Sequence, residues 1–440
     1  MKRSKSIKDR LPQVIFFLYL LLFASILFSF RAISSISTGL ILAAGLVYEK
    51  RFPPVFLKQR PVLVFFTGCI LYYLVSFLSV PYTTNPAANQ EQLRLQAGLI
   101  FIPLTVIVTA RSIQSYFQRL VSSFSILLSV TALYCLLIAM GKFLSGSGGS
   151  VFFYHELAAS VSGHAVYLSI YTFIALVWQI EQHGIPGIQP FNAWTLAQMT
   201  ILVVFLVLLS SKLVIVFFCI YLMVFAWQQA GRLYGRRPVY LALSLVMVAA
   251  SGVIFLKENP VSKRFSEIFQ GDITFTNHRA YKPADYINGL EFRMLQWQLV
   301  PGILREHKKW IRGMTPGDAQ QALDREYRHR NIYTGDPVRK DSGFLGYNTH
   351  NQFLESLLRH GIPGLLLFGM TWLGGWMLLK RKKERGYTTI VLLLLLYAWL
   401  EALLQTQYGL VLYLFFPLFL FAGTMSTKRK NQPVGIKTTR

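Results

Sequence analysis

The chain has 440 residues, of which 53% are hydrophobic and only 14% charged, and its formal net charge is +25 at pH 7. Soluble domains hold about 45–50% apolar and about 25% charged residues, so the composition excludes an ordinary soluble fold. The basic residues lie in short clusters between apolar blocks, without a basic face, zinc spacing or RNA-binding motif, which speaks against nucleic-acid binding.

Apolar blocks of roughly 18 or more residues with almost no charge predict transmembrane helices. The reading is an all-α integral membrane protein with about twelve spans, each long enough for a roughly 30 Å hydrocarbon core. They centre near Leu22, Ala43, Leu71, Pro103, Val130, Phe173, Val204, Leu222, Val246, Leu367, Leu395 and Phe415. The first block, about Pro12 to Phe30, has a basic flank but no A-x-A cleavage site and is expected to be retained. A turn-rich break, His183-Gly-Ile-Pro-Gly187, separates the sixth and seventh spans, and Ser210-Ser211-Lys212 joins the next pair. Cys69, Cys135 and Cys219 all fall inside apolar blocks and read as buried hydrophobes.

The basic clusters set the orientation. Lys2 to Arg10, Lys50 to Arg60, Arg111 with Arg119, Arg232 to Arg237, Lys380 to Arg385 and Lys428 to Lys430 fall on one side. The opposite loops hold only Arg31, Arg94, Lys142 and Lys212. The positive-inside rule then expects both termini in the cytoplasm. Four regions follow: a membrane region over 1–256, an outer loop over 257–349, a second membrane region over 350–426, and a basic tail over 427–440. The outer loop lies between the ninth and tenth spans and is periplasmic in this reading. Its stretches Glu291–Leu304 and Asp318–Tyr327 have helical spacing, and its aromatic content favours an ordered segment.

Where that loop returns to the membrane, the chain reads Tyr347-Asn348-Thr349-His350-Asn351-Gln352, then Gly361-Ile362-Pro363-Gly364. Thr349 or Asn348 is expected to cap a helix, with His350 in or near its first turn. The positive helix end would keep that imidazole neutral and able to accept a proton. Gly361 and Gly364 would allow close helix approach. The plainer alternative is an interfacial histidine satisfied by the loop. A second candidate is Arg293, four residues before Trp297, since a guanidinium fork suits phosphate oxygens. Its plainer alternative is a solvated loop arginine.

The histidine segment matches H-[NSQ]-x9-G-x-x-G, and the chain thereby resembles the O-antigen ligase and O-antigen polymerase superfamily. The resemblance extends to twelve spans, a large outer loop before the tenth, and an R-x-x-x-W segment followed by a glycine-rich stretch like Trp310 to Asp318. It implies His350 and Arg293 as catalytic residues, with Asn351, Gly361, Gly364 and Trp297 as motif positions. The family's S-R pair is replaced here by Ser211-Lys212. Lys212 is then either a substitute diphosphate ligand or a snorkelling anchor. Arg264 could add charge to the same pocket. Tyr154, His155, His164 and Tyr167 are weaker candidates, and His278, His307 and His329 read as ordinary loop residues.

No Asp-x-Asp occurs in the chain, and the loop from Ala32 to Ser37 lacks a carboxylate. A metal-independent reaction without a cofactor fits this, as the resemblance also implies. The implied activity transfers a glycan from undecaprenyl diphosphate to a sugar hydroxyl of the lipid A core, in the inner membrane of a Gram-negative bacterium. Alternatives within the superfamily are a polymerase and a protein O-oligosaccharyltransferase. From another class comes a twelve-span transporter or flippase, against which stand the missing internal repeat and the scarcity of ionisable residues within spans.

Overall fold

In this computed structural model, residues 7–49, 54–161, 163–183, 192–230, 280–282, 287–336, 343–381 and 384–425 are described. Among them the chain is helical, with no β-strand. In lipid every backbone polar group must be satisfied internally, and a helix does this within one segment. The first part comprises α1 (Ile7–Leu27), α2 (Arg31–Tyr48), α3 (Arg60–Leu78), α4 (Pro86–Gln96) and α5 (Gly98–Leu144). There follow α6 (Tyr154–Ala158), α7 (Ala165–His183), α8 (Ala193–Leu208) and α9 (Lys212–Ala230). The segment expected from sequence to be the outer one supplies α10 (Gly289–Glu306) and α11 (Ala319–His329). Last come α12 (Gln352–Arg381), α13 (Arg385–Tyr397) and α14 (Gln407–Thr424), the last with a π-helical turn at Val411–Phe415.

Among the described residues six helices are long and apolar enough to cross a membrane, or seven if the bent pair α6 to α7 counts as one span. Helices α8, α9 and α13 are apolar but shorter. Large side chains such as Phe17, Leu137, Leu144 and Trp227 face outward. Such outward apolar surface suits lipid and not water. Cys69 and Cys135 are buried and Cys219 half-buried, all without disulfides.

The expected fourth and fifth spans are not separate elements. Pro103 and Val130 lie on the single helix α5, which runs for 47 residues. Polarity around Arg111 to Arg119 interrupts the hydropathy, but Arg, Ser and Gln tolerate helix and no glycine or proline stands there. Arg111 instead pairs with Glu49 at the end of α2, 3.1 Å away. The ninth expected span, near Val246, lies outside the described residues.

The closest helix packing seats α12 against α3. A Cβ on Gly374 would come within 2.6 Å of the Phe65 Cα, and one on Gly68 within 3.0 Å of the Thr371 nitrogen. Small residues at a membrane interface allow this approach. Thr371 and Tyr413 share a hydrogen bond of 3.0 Å behind it. The N-terminal end of α12 is thereby held at one end of the bundle, beside the turn between α13 and α14.

Candidate active site

The outer segment folds on its own apolar seam. Asn288 accepts from the amides of Leu290 and Glu291, while Glu291 accepts from the Asn288 amide, a capping box that starts α10. Phe292, Leu295, Leu299 and Ile303 on α10 pack with Leu323 and Tyr327 on α11 and with Leu357 and Leu358 on α12. Both stretches read as helical from sequence, Glu291–Leu304 and Asp318–Tyr327, are helices.

The glycine-rich stretch is wedged between α12 and the loop before α4. Gly313, at φ +68°, lies so close to the Arg359–His360 peptide that a Cβ would come within 2.4 Å of it. Gly317 donates to Asn89 Oδ1 at 3.1 Å. The Asp318 carboxylate accepts from the Thr84 amide at 2.9 Å, the Thr84 hydroxyl at 2.7 Å and the Thr315 hydroxyl at 2.9 Å. Burial pushes the Asp318 carboxyl up, but these hydrogen bonds outweigh it and hold the group below the usual carboxylate range.

His350 stands on the turn that leads into α12. Asn351 is the helix cap, its Oδ1 accepting from the amides of Phe353 at 2.9 Å and Leu354 at 3.1 Å. His350 therefore precedes the helix, with φ +45° and its amide donating to Asn348 Oδ1 at 3.0 Å. This corrects the expected cap at Thr349 or Asn348, and His350 lies near the first turn but just outside it. Thr349 instead donates through its amide and hydroxyl to Glu355. A non-glycine residue at positive φ is uncommon and persists where its surroundings over-determine it.

What meets the imidazole is a carboxylate and not a helix end. His350 Nδ1 lies 3.0 Å from Glu401 Oε2, and Arg293 Nη2 donates to Glu401 Oε1 at 3.1 Å. The three side chains come from three separate elements and keep 20%, 14% and 31% exposure for His350, Glu401 and Arg293 respectively. Burial raises the Glu401 pKa, but the hydrogen bond from His350 and the charges of His350, Arg293 and His164 outweigh it, so the group lies below its ordinary value. An ionised carboxylate only accepts. Nδ1 consequently carries the hydrogen, and Nε2 is the nitrogen left to act on a substrate. Arg293 Nε is enclosed without a protein partner, a donor still to be used.

Gln352 fixes the turn that carries Glu401. Its amide donates to the Ala398 carbonyl at 2.8 Å, and its side-chain oxygen accepts from the Leu404 amide at 2.7 Å. Its side-chain nitrogen donates to Ser356 at 3.0 Å. Trp297 Nε1 donates to the Thr349 carbonyl at 3.2 Å, and Gln296 donates to the Asn348 carbonyl, so α10 braces the other side of the His350 turn.

The motif glycines act within this assembly. Gly361 interrupts α12 at φ +66°, ψ −158°, a conformation almost confined to glycine. A Cβ there would lie 2.4 Å from the Ile311 carbonyl oxygen, and the next amide donates to Trp310. Gly364 makes room for His360 and the Ser356 carbonyl across that break. Their close approach is thus to the outer segment and to their own helix, not to a neighbouring span. Lys212 begins α9, after a turn in which Ser210 has φ +50° and Ser211 meets the Tyr397 hydroxyl at 3.3 Å. Arg264 and His278 lie outside the described residues.

Glu401 was not among the candidates read from sequence. One signal was available: it is the lone carboxylate in the apolar run after Arg385. An ionisable residue in such a run is a site candidate by default.

Residues 197–369 match the family described as O-antigen ligase. The chain carries a domain of that family. The matched span holds Lys212, Arg293, Trp297, His350, Gly361 and Gly364 and stops short of Glu401. Members of this family are membrane glycosyltransferases of the ligase type. The chain matches no curated protein.

Proposed function

We propose that the protein is an O-antigen ligase, moving a glycan from undecaprenyl diphosphate to a sugar hydroxyl of the lipid A core. The observation that carries this reading is the convergence of His350 and Arg293 on Glu401. His350 Nε2 takes the proton of the acceptor hydroxyl as its oxygen attacks the anomeric carbon. Glu401 holds the imidazole in the required tautomer and offsets the charge it gains. The new bond joins the acceptor oxygen to the anomeric carbon, and the bond broken is that carbon's bond to the diphosphate oxygen. The diphosphate leaves with the electron pair and additional negative charge, which Arg293 stabilises, with Lys212 and Arg264 as the further cations expected from sequence in this role. The glycosyl–diphosphate bond supplies the driving force, so neither ATP nor a cofactor is required, and the missing Asp-x-Asp supports a metal-independent route.

In this reading the protein lies in a bacterial inner membrane, with the 257–349 loop and His350 at the periplasmic face. The test is a lipopolysaccharide gel comparing wild type, a gene deletion and His350→Ala. Loss of the O-antigen ladder in both mutants, with polymerised glycan retained on the lipid carrier, is expected. Cores bearing a single repeat unit would identify a polymerase instead, and a normal ladder with normal expression would remove His350 from the chemistry.

A further inference from the structure

Beside the transfer site stands a continuous wall of rings that the reaction above does not use. It runs from Tyr154 and His155 on α6 through His164, just ahead of α7, to Tyr167 on α7 and Tyr408 on α14. Successive ring centroids lie 3.8, 4.7, 5.2 and 5.7 Å apart. The last pair is stacked at 24°, and the Arg31 guanidinium lies 6.0 Å above the Tyr408 ring. Tyr167 is buried, whereas His155 and His164 are exposed. Tyr154 is held at φ +50°, so its position is set by the fold.

The wall adjoins Glu401. The Thr406 hydroxyl donates to Tyr167 at 3.1 Å, and Thr406 also caps α14, five residues after Glu401. The Tyr347 ring lies 5.8 Å from that of His350.

A pyranose presents a face of C–H bonds and a rim of hydroxyls. Aromatic rings offer an electron-rich face to the first, and imidazole nitrogens donate to or accept from the second. A phosphate would instead call for several cations along the wall. A lipid chain would set the exposed His164 imidazole against hydrocarbon.

We propose that Tyr154, His155 and His164 form the subsite for the acceptor sugar, with Tyr167 and Tyr408 as the backing that fixes their positions. This rests on the transfer reading above, because the sugar whose hydroxyl His350 deprotonates must lie against the neighbouring wall.

The experiment uses full-length protein in nanodiscs, with undecaprenyl-diphosphate-linked repeat units as donor and rough-type lipopolysaccharide as acceptor. His164→Ala raises the acceptor KM by about tenfold while kcat changes little, the signature of lost ground-state binding. His164→Phe, which keeps a ring, recovers part of that loss. An unchanged acceptor KM, or a rise confined to the donor KM, overturns the proposal. A second measurement needs no variant. Rough-type lipopolysaccharide slows modification of His155 and His164 by diethyl pyrocarbonate in the wild-type protein, and lipid A without core sugars does not. Equal rates with and without the core sugars overturn it. His350→Ala in the same transfer assay judges the transfer reading separately, whatever the wall does.

Discussion

The surroundings of Glu355 and Glu401 place two carboxylates beside arginines to opposite ends. Glu355 pairs with Arg359 one helical turn away at 2.6 Å, with 1% and 4% exposure. Its other oxygen takes two hydrogen bonds from Thr349, and Arg359 also donates to the Pro316 carbonyl at 3.3 Å. Both carboxylate oxygens are engaged there, and the pair ties α12 to the outer segment. Glu401 draws His350 and Arg293 from distant parts of the chain and remains partly open, and Arg293 Nε has no protein partner. A saturated network is structural, whereas one with an unused donor and a free imidazole nitrogen can bind and react.

The comparison can be broken from either side. Glu401→Gln is expected to lower glycan transfer by about 10²–10⁴-fold, because the imidazole loses the charge that holds its tautomer and offsets its protonation. Its thermal melting in detergent should stay near wild type, and a large drop in melting temperature would make Glu401 a structural residue. Glu355→Ala should do the reverse, destabilising the fold by about 3–5 kcal/mol by leaving Arg359 buried without its partner. Replacing both members with leucine should restore much of that loss, read in the same melt.

Gln352→Ala sharpens the middle ground. It leaves the buried Leu404 amide in the Glu401 turn without its partner, at a cost of about 1–3 kcal/mol. If Gln352 positions Glu401, kcat at saturating substrate falls and the fall exceeds that produced by an equally destabilising change elsewhere. Equal falls would assign it to stability alone.

The smallest effect concerns the Asp318 clasp. Its folded-state pKa is depressed, so its contribution is fully present above the unfolded-state pKa and is lost as pH falls through the folded one. Asp318→Asn should therefore lower the melting temperature at neutral pH, and the gap to wild type should close on acidification below the ordinary carboxylate pKa. A gap independent of pH would show that the charge is not what the threonines stabilise.

Sequence alone determined what is local. Long apolar runs specify membrane helices because lipid leaves the backbone no other way to satisfy itself. Periodicity inside the polar loop marked the helices that became α10 and α11, and the fixed spacing of His350, Gly361 and Gly364 pointed to the candidate site. Hydropathy failed at Arg111 to Arg119, since it registers polarity and not whether the backbone bends. Only the tertiary structure decided that Glu401 joins His350 and Arg293, 51 and 108 residues away, and that Gly361 breaks α12 to receive the outer segment. Such pairings depend on which chain ends the packing brings together, and no local pattern of residues records that.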